Sequence, residues 1–309
     1  MTTRQAMISG AKGTSLPASL WIPDEKPKAI LQIAHGMTEH MGRYAALGEY
    51  LAGFGILTAG FDLRGHGHHP GNPACASFGE SGWEDSLEDM HLFYNWLSVQ
   101  YQNVPYIMLG FSLGSFLLRE YLERYDDPVS GAVIMGTGHQ PAAVISVLMG
   151  IVKTQIKKAG FDNTTPLIRN LMFDTYNRNF RPVRSDFEWL CSDADENDAY
   201  LSDPLCRHGI SSGLFWQLLA SMKRTGSPHT YDGWKRDLPV LLLSGAEDPV
   251  GDRGHGVNRV ITGMKRAGIH NLTAHFLPDA RHDILHEESS GCAASTRGII
   301  ARWIGDIVE

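Results

Sequence analysis

The chain lacks the features that would mark a specialised class of protein. Its 309 residues include only four cysteines, Cys75, Cys191, Cys206 and Cys292, with no C-x-x-C pair among them. That pattern argues against a disulfide framework or a cysteine zinc site, and the four read as reduced bystanders. Positive charge is scarce: 27 Lys and Arg stand against 34 Asp and Glu, a formal net charge of −7. Such a chain has no general attraction for phosphate backbones, so no nucleic-acid partner is expected. Long apolar runs are missing too. The most apolar one, Ala143 to Val152, is about half the ~20 residues needed to span a bilayer. The opening MTTRQAMISGAKG carries no apolar core of a signal peptide, so a cytoplasmic location is expected. Repeats and low-complexity stretches are also absent.

What is present is an ordinary folded composition, 43% apolar and 20% charged, enough for one large domain or a domain with an insertion. The first half alternates short apolar, β-branched runs with longer helical patterns, the sign of a parallel sheet with crossover helices. Strands are expected at Pro17–Ile22, Ala29–Ala34, Ile56–Phe61, Tyr106–Leu109 and Ala132–Met135. Between them Tyr44–Gly53, Trp83–Tyr101 and Leu113–Tyr125 have helical spacing. The alternation resumes with strands at Val240–Leu243 and Thr273–Leu277 and a helix around Ser295–Ile307. From about His139 to Thr230 there are helical patterns and no convincing strand. A parallel crossover needs only about a dozen residues, so this stretch reads as an insertion. The expected architecture is an α/β core, 1–138 and 231–309, carrying a helical cap, 139–230, over one edge of the sheet.

The chemistry starts at Gly110-Phe-Ser112-Leu-Gly114. Alone, G-x-S-x-G is a weak signal. Here a buried-strand pattern precedes it and a helix follows, so Ser112 sits on a strand-to-helix turn that would lift its hydroxyl clear of the sheet. The helix N-terminus beneath it also favours developing negative charge. The plain alternative is a serine capping a helix. A serine hydroxyl needs a base, and the base needs an orienting carboxylate. Asp248 follows the Val240–Leu243 strand at the sheet edge where open parallel sheets place their sites. Glu247 competes with it, but lies one residue nearer the strand. Among 14 histidines, His282 stands in the loop after the last strand, from which it can reach back over the serine. His286, four residues on, reads as structural. An oxyanion needs two backbone donors: the N–H of Leu113, just after the serine, and that of Met37 in the loop Ile33-Ala-His35-Gly36-Met37, where Gly36 would let the chain turn. Each is typically worth about 3–4 kcal/mol in the transition state.

Asp62-Leu-Arg-Gly-His-Gly-His68-His69 invites a metal-site reading. It is better taken as a hydrogen-bonded loop, since no cysteine or paired carboxylate completes a ligand set nearby. No cofactor is implied, because the triad and the backbone donors would supply the whole mechanism.

These residues carry a resemblance. His35-Gly-Met-Thr-Glu-His-Met-Gly-Arg-Tyr44, Asp62-Leu-Arg-Gly-His-Gly67, Gly110–Gly114, Gly245-Ala-Glu-Asp248 and Arg281-His282 together resemble the α/β-hydrolase superfamily. The H-G-x-x-E-H-x-x-R-Y block is similar to its monoacylglycerol lipase and lysophospholipase branch. The resemblance implies triad roles for Ser112, Asp248 and His282, and an oxyanion hole of Met37 and Leu113. Ser202-Asp-Pro-Leu205 looks like a short family element in the cap. One departure is His69, where the family pattern has serine.

The expected function is a serine ester hydrolase acting on a small lipid ester. A peptidase removing an N-terminal residue, or a carbon–carbon bond hydrolase, would use the same triad. The peptidase would need an acidic clamp for the substrate amine, which Asp193–Asp198 could supply, although such a run is usually a solvated face. A hydrolase-fold binding protein without chemistry fits less well, because all three triad residues are present in order. The run Ala143–Val152 could line an acyl channel, rest transiently on a membrane surface or simply pack the cap on the core. Oligomeric state, acyl length and leaving group are not legible.

Overall fold

The computed structural model describes residues 1–71, 75–206, 209–227 and 229–309. Its strands are Thr2–Ser9 (β1), Ser15–Ile22 (β2), Ala29–Ala34 (β3), Ile56–Phe61 (β4), Tyr106–Phe111 (β5), Gly131–Met135 (β6), Val240–Gly245 (β7) and Leu272–Leu277 (β8). They form one eight-stranded sheet in the order β1-β2-β4-β3-β5-β6-β7-β8. β1 and β2 pair antiparallel, as do β2 and β4. Every other pairing is parallel.

The helices are Ala45–Ala52 (α1), Gly82–Gln100 (α2), Leu113–Arg124 (α3), Ala142–Ala159 (α4), Pro166–Asn177 (α5), Ala194–Ser202 (α6), Ser212–Thr225 (α7), His255–Arg266 (α8) and Cys292–Val308 (α9). The central strands are continuously apolar because both faces are covered. In β5 the alternation is nevertheless plain. Tyr106 and Met108 face the core beneath α2, α3 and α8, whereas Ile107, Leu109 and Phe111 face the core beneath α1 and α9. Four helices, α4 to α7, lie between β6 and β7. Ile145, Val152, Phe173, Phe187, Tyr200 and Phe215 pack there into a third apolar cluster.

Two elements depart from the expectation. β1 was not expected, because TTRQAMIS is polar on both faces and buries only Ile8. It is held by backbone pairing with β2 at the sheet's edge. The helix α8 was also missed, its apolar stripe being only Val257, Val260 and Met264. Neither bears on the edge where the parallel strands end. That carboxyl edge carries Gly36 after β3, Ser112 after β5, Asp248 after β7 and His282 after β8.

Candidate active site

Ser112 links β5 directly to α3, with φ 49° and ψ −114°. A side chain with positive φ is costly, on the order of 1–3 kcal/mol, and is kept only where the surroundings over-determine it. Here the surroundings are two close approaches. A Cβ on Gly110 would lie 2.4 Å from the Gly114 carbonyl oxygen, and one on Gly114 would lie 1.9 Å from that of Ala34. The flanking glycines therefore supply space rather than unusual dihedrals. Their absent side chains let the first turn of α3 press against the end of β3. This brings Leu113, whose N–H opens α3 and is in the set that helices leave unbonded, beside the loop holding Met37.

Gly36 follows the same logic, which corrects the reason expected for it. Its φ is not positive; a Cβ there would meet Glu39 Oε1 at 2.9 Å and the Phe111 ring at 3.0 Å. The residue with positive φ in this loop is Thr38, at 60°. The loop is fastened from both sides. His35, fully buried, engages the Gly36 carbonyl through Nδ1 at 2.7 Å and accepts the Leu63 N–H through Nε2 at 2.9 Å. Burial lowers its pKa, so it is a neutral peg.

His282 and Asp248 meet behind the serine. His282 Nδ1 lies 2.9 Å from Asp248 Oδ1, which also accepts the Val250 N–H at 2.8 Å. Both side chains are buried. A proton on Nδ1 leaves Nε2 as the basic nitrogen. Nε2 is buried and makes no hydrogen bond to Ser112 or any other described group. The imidazole lies between Phe111 and Trp189, with ring centroids 4.9 and 5.1 Å away. Glu247, the competing acid, points elsewhere: it is half exposed and pairs with Arg253 at 3.0 Å.

Met37, Ser112 and His282 line one cavity, together with Phe111, Trp189 and Tyr200. The space inside it is about 20 Å³, room for a water molecule or so. Tyr200 of α6 closes it by bonding Thr38 Oγ1 at 2.7 Å. The cavity's two carboxylates, Glu39 and Asp283, are both taken by Arg43. Glu39 also receives the Tyr44 hydroxyl at 2.7 Å, and Asp283 binds His286 Nδ1 at 2.9 Å. Burial works against ionised Asp283, but the charges of His286 and Arg43 outweigh it and hold this carboxyl below its ordinary range. This network ties the Gly36 loop to the His282 loop and gives His286 a bonded place within it. The acidic run is placed differently. Asp193 caps α6 through the Asp195 and Glu196 N–H groups, and Asp198 faces Arg184.

The histidine loop behaves as a hydrogen-bonded turn. His66 Nδ1 meets the Arg64 carbonyl, His68 meets Asp62, and His69 reaches the Pro70 carbonyl and Thr14. His69 thus bridges its loop to the turn after β1. Among the described residues one trio has metal-capable atoms within 4.8 Å, His40, Asp203 and Cys206. Both nitrogens of His40 are already used, by Gly42 N–H and Asp203. All four cysteines are buried thiols outside any disulfide.

Comparison with known proteins bears on this arrangement. Residues 25–289 match the Hydrolase_4 family, described as serine aminopeptidase S33. The chain belongs to this family. It is an α/β-hydrolase of the monoacylglycerol-lipase-like branch and a serine hydrolase. It is 25% identical over 292 residues to the monoglyceride lipase of Mus musculus, covering 92% of this chain and 88% of that protein. It is 26% identical to the monoacylglycerol lipase of Mycolicibacterium smegmatis, covering 80% of each. A thermostable carboxyl esterase from Bacillus coagulans has the same fold, with a TM-score of 0.88 at 22% identity over the full length of both chains.

Several groups around this hydrolase's site were not singled out from sequence. Glu39, Arg43 and Tyr44 lay within a noted motif, but their joint role needs the distant Asp283. Trp189 and Tyr200 come from the segment between β6 and β7, where no periodicity marks a residue as facing the sheet. Among the described residues, no helix is long and apolar enough to cross a membrane.

Proposed function

We propose that this serine hydrolase cleaves carboxylic esters of small lipids, of the monoacylglycerol or lysophospholipid type. The observation that carries the reading is the His282 Nδ1–Asp248 pair, at 2.9 Å, with Nε2 left unbonded in the cavity that Ser112 also lines. In this reading Ser112 attacks the ester carbonyl while His282 Nε2 takes its proton and passes it to the leaving alcohol. Asp248 holds the imidazole tautomer and stabilises its charged form. The Met37 and Leu113 N–H groups receive the oxyanion, and a water then repeats the sequence to release the acid. Apo serine–histidine contacts commonly tighten only when substrate is bound, so the unmade Ser112 bond is compatible with this role.

The aminopeptidase alternative has less support. Its clamp would need an unpaired acid in the cavity, and the described carboxylates there are both bonded to Arg43, Asp283 to His286 as well.

Residues 139–230 act in this reading as a cap. A cavity that holds about one water cannot admit an acyl chain, so Trp189 and Tyr200 must move aside for substrate. On α4, Ile145 and Val152 are buried, while Val144, Val147 and Ile151 form an exposed stripe at i, i+3 and i+7. That stripe is suited to rest on a lipid surface. Val147→Glu should lower activity on vesicle-borne monoacylglycerol several-fold and leave soluble esters within twofold. Equal loss on both substrates would remove the lipid-surface role.

The substrate class is tested with p-nitrophenyl esters of two to sixteen carbons. Turnover should rise with chain length, each buried CH₂ contributing up to about 0.8 kcal/mol, until the acyl site is filled. Folded protein that turns over none of them would overturn the ester reading.

A further inference from the structure

A larger space lies away from the proposed site. It is a cleft of about 710 Å³, and its walls include Arg119, His139, Tyr231, Asp232, Arg259 and Arg266. Three guanidinium groups facing one cleft are unexpected in a chain of net charge −7. Its carboxylate, Asp232, is engaged with His229 at 3.0 Å.

Arg119 is the deepest of the three. It projects from α3 and is 1% exposed. Its Nη2 donates to the Thr225 carbonyl at 2.6 Å and the Tyr231 hydroxyl at 2.9 Å. Its Nη1 has only long contacts, 3.5 Å to Thr137 Oγ1 and 3.4 Å to the Gly138 carbonyl. Its Nε is buried without an acceptor. Among the described residues no carboxylate pairs with Arg119. A guanidinium buried without an anion is costly, because its charge leaves water with no opposite charge beside it. Arg259 and Arg266 stand seven residues apart on α8, two turns along one face. Arg259 reaches Asp252 only at 3.6 Å, and Arg266 has no ion pair among the described residues. His139 is pushed down in pKa, first by burial and then by the charges of Arg119 and Arg259.

We propose that this cleft binds a phosphate-bearing anion, with Arg119 as its floor and Arg259 and Arg266 as its rim. Guanidinium groups suit phosphate because their planar forks match its oxygens. The volume exceeds what inorganic phosphate fills and falls within the range of small-molecule sites, so the ligand is a phosphate ester. Gly138 and Thr225, which Arg119 holds together, lie where the chain leaves the sheet toward α4 and where α7 returns.

The test uses Ser112→Ala protein, so that turnover does not interfere and failure of the ester reading does not bear on the result. Calorimetric titration with glycerol 3-phosphate and with pyrophosphate should show one saturable site per chain. The double variant Arg259→Glu/Arg266→Glu, on the same background, should bind at least about tenfold more weakly, the loss expected for charge-assisted bonds. Arg119→Met should also lose binding, but it cuts the Thr225 and Tyr231 bonds as well, so the rim variant decides. A parallel arm uses phosphatidylcholine vesicles with and without phosphatidate. Phosphatidate-dependent binding that the rim variant loses, without binding of either soluble anion, keeps the anion site and assigns its source to a lipid headgroup. No saturable binding in either arm, or equal binding by the rim variant, overturns the proposal.

Discussion

Ser112→Ala should fold normally and retain no more than about 10⁻⁴ of wild-type ester turnover, since removing the nucleophile costs about 10⁶-fold in a serine protease. The bonds that shape the turn use backbone atoms at this position. The Ser112 N–H donates to the Met135 carbonyl at 2.9 Å, and its own carbonyl receives Ser115 Oγ at 2.6 Å. Both survive the substitution. A companion variant separates chemistry from strain. Ser112→Gly should be equally inactive but more stable than Ser112→Ala, by about 1 kcal/mol, because glycine carries the φ of 49° without a Cβ penalty. Urea unfolding of the two variants beside an activity assay checks both statements. Activity within tenfold of wild type in Ser112→Ala would remove the nucleophile assignment.

Asp248→Asn should lower turnover by roughly 10⁴-fold with little change in fold, the effect known for this change in a serine protease. The physical reason here is specific. Asp248 Oδ1 accepts from both His282 Nδ1 and the Val250 N–H, and Oδ2 has no partner. If the asparagine oxygen takes the Oδ1 place, the imidazole loses its negative neighbour and a buried NH₂ group is left without an acceptor, costing about 1–3 kcal/mol. If the amide flips, its NH₂ faces Nδ1 and forces the proton onto Nε2, which can then no longer act as base. Both outcomes disable His282. Glu247→Gln removes only a half-exposed pair with Arg253, typically worth 0–1 kcal/mol, so turnover should stay within a few-fold. A severe loss from Glu247→Gln beside a mild one from Asp248→Asn would move the acid role to Glu247.

The sheet and the three triad candidates were legible because each has a local signature. β3, β5 and β7 are apolar runs ending in glycine-bearing loops, and Ser112, Asp248 and His282 follow strands in the order this architecture requires. β1 was not legible, since an edge strand held by backbone bonds needs no apolar face. Gly36 was recognised but for the wrong reason. Sequence suggests dihedral freedom there, whereas a Cβ collision with Phe111 is visible only once the strands are side by side. The cover over His282 was not legible either. Trp189 sits in a turn and Tyr200 on α6, both far along the chain in a segment whose packing depends on the third apolar cluster. Arg119 is the extreme case. Nothing in the sequence singles it out on α3, yet it is among the largest fully buried side chains.

In the proposed reaction Ser112 becomes the acylated residue. A fluorophosphonate probe tests it most directly, because the attacking serine oxygen displaces fluoride and keeps a covalent phosphonyl group that peptide mass spectrometry can locate. One adduct per chain is expected, on the peptide containing Ser112, absent in Ser112→Ala and formed far more slowly in Asp248→Asn. An active enzyme that carries the adduct on another residue, or takes up none while still hydrolysing esters, would contradict it.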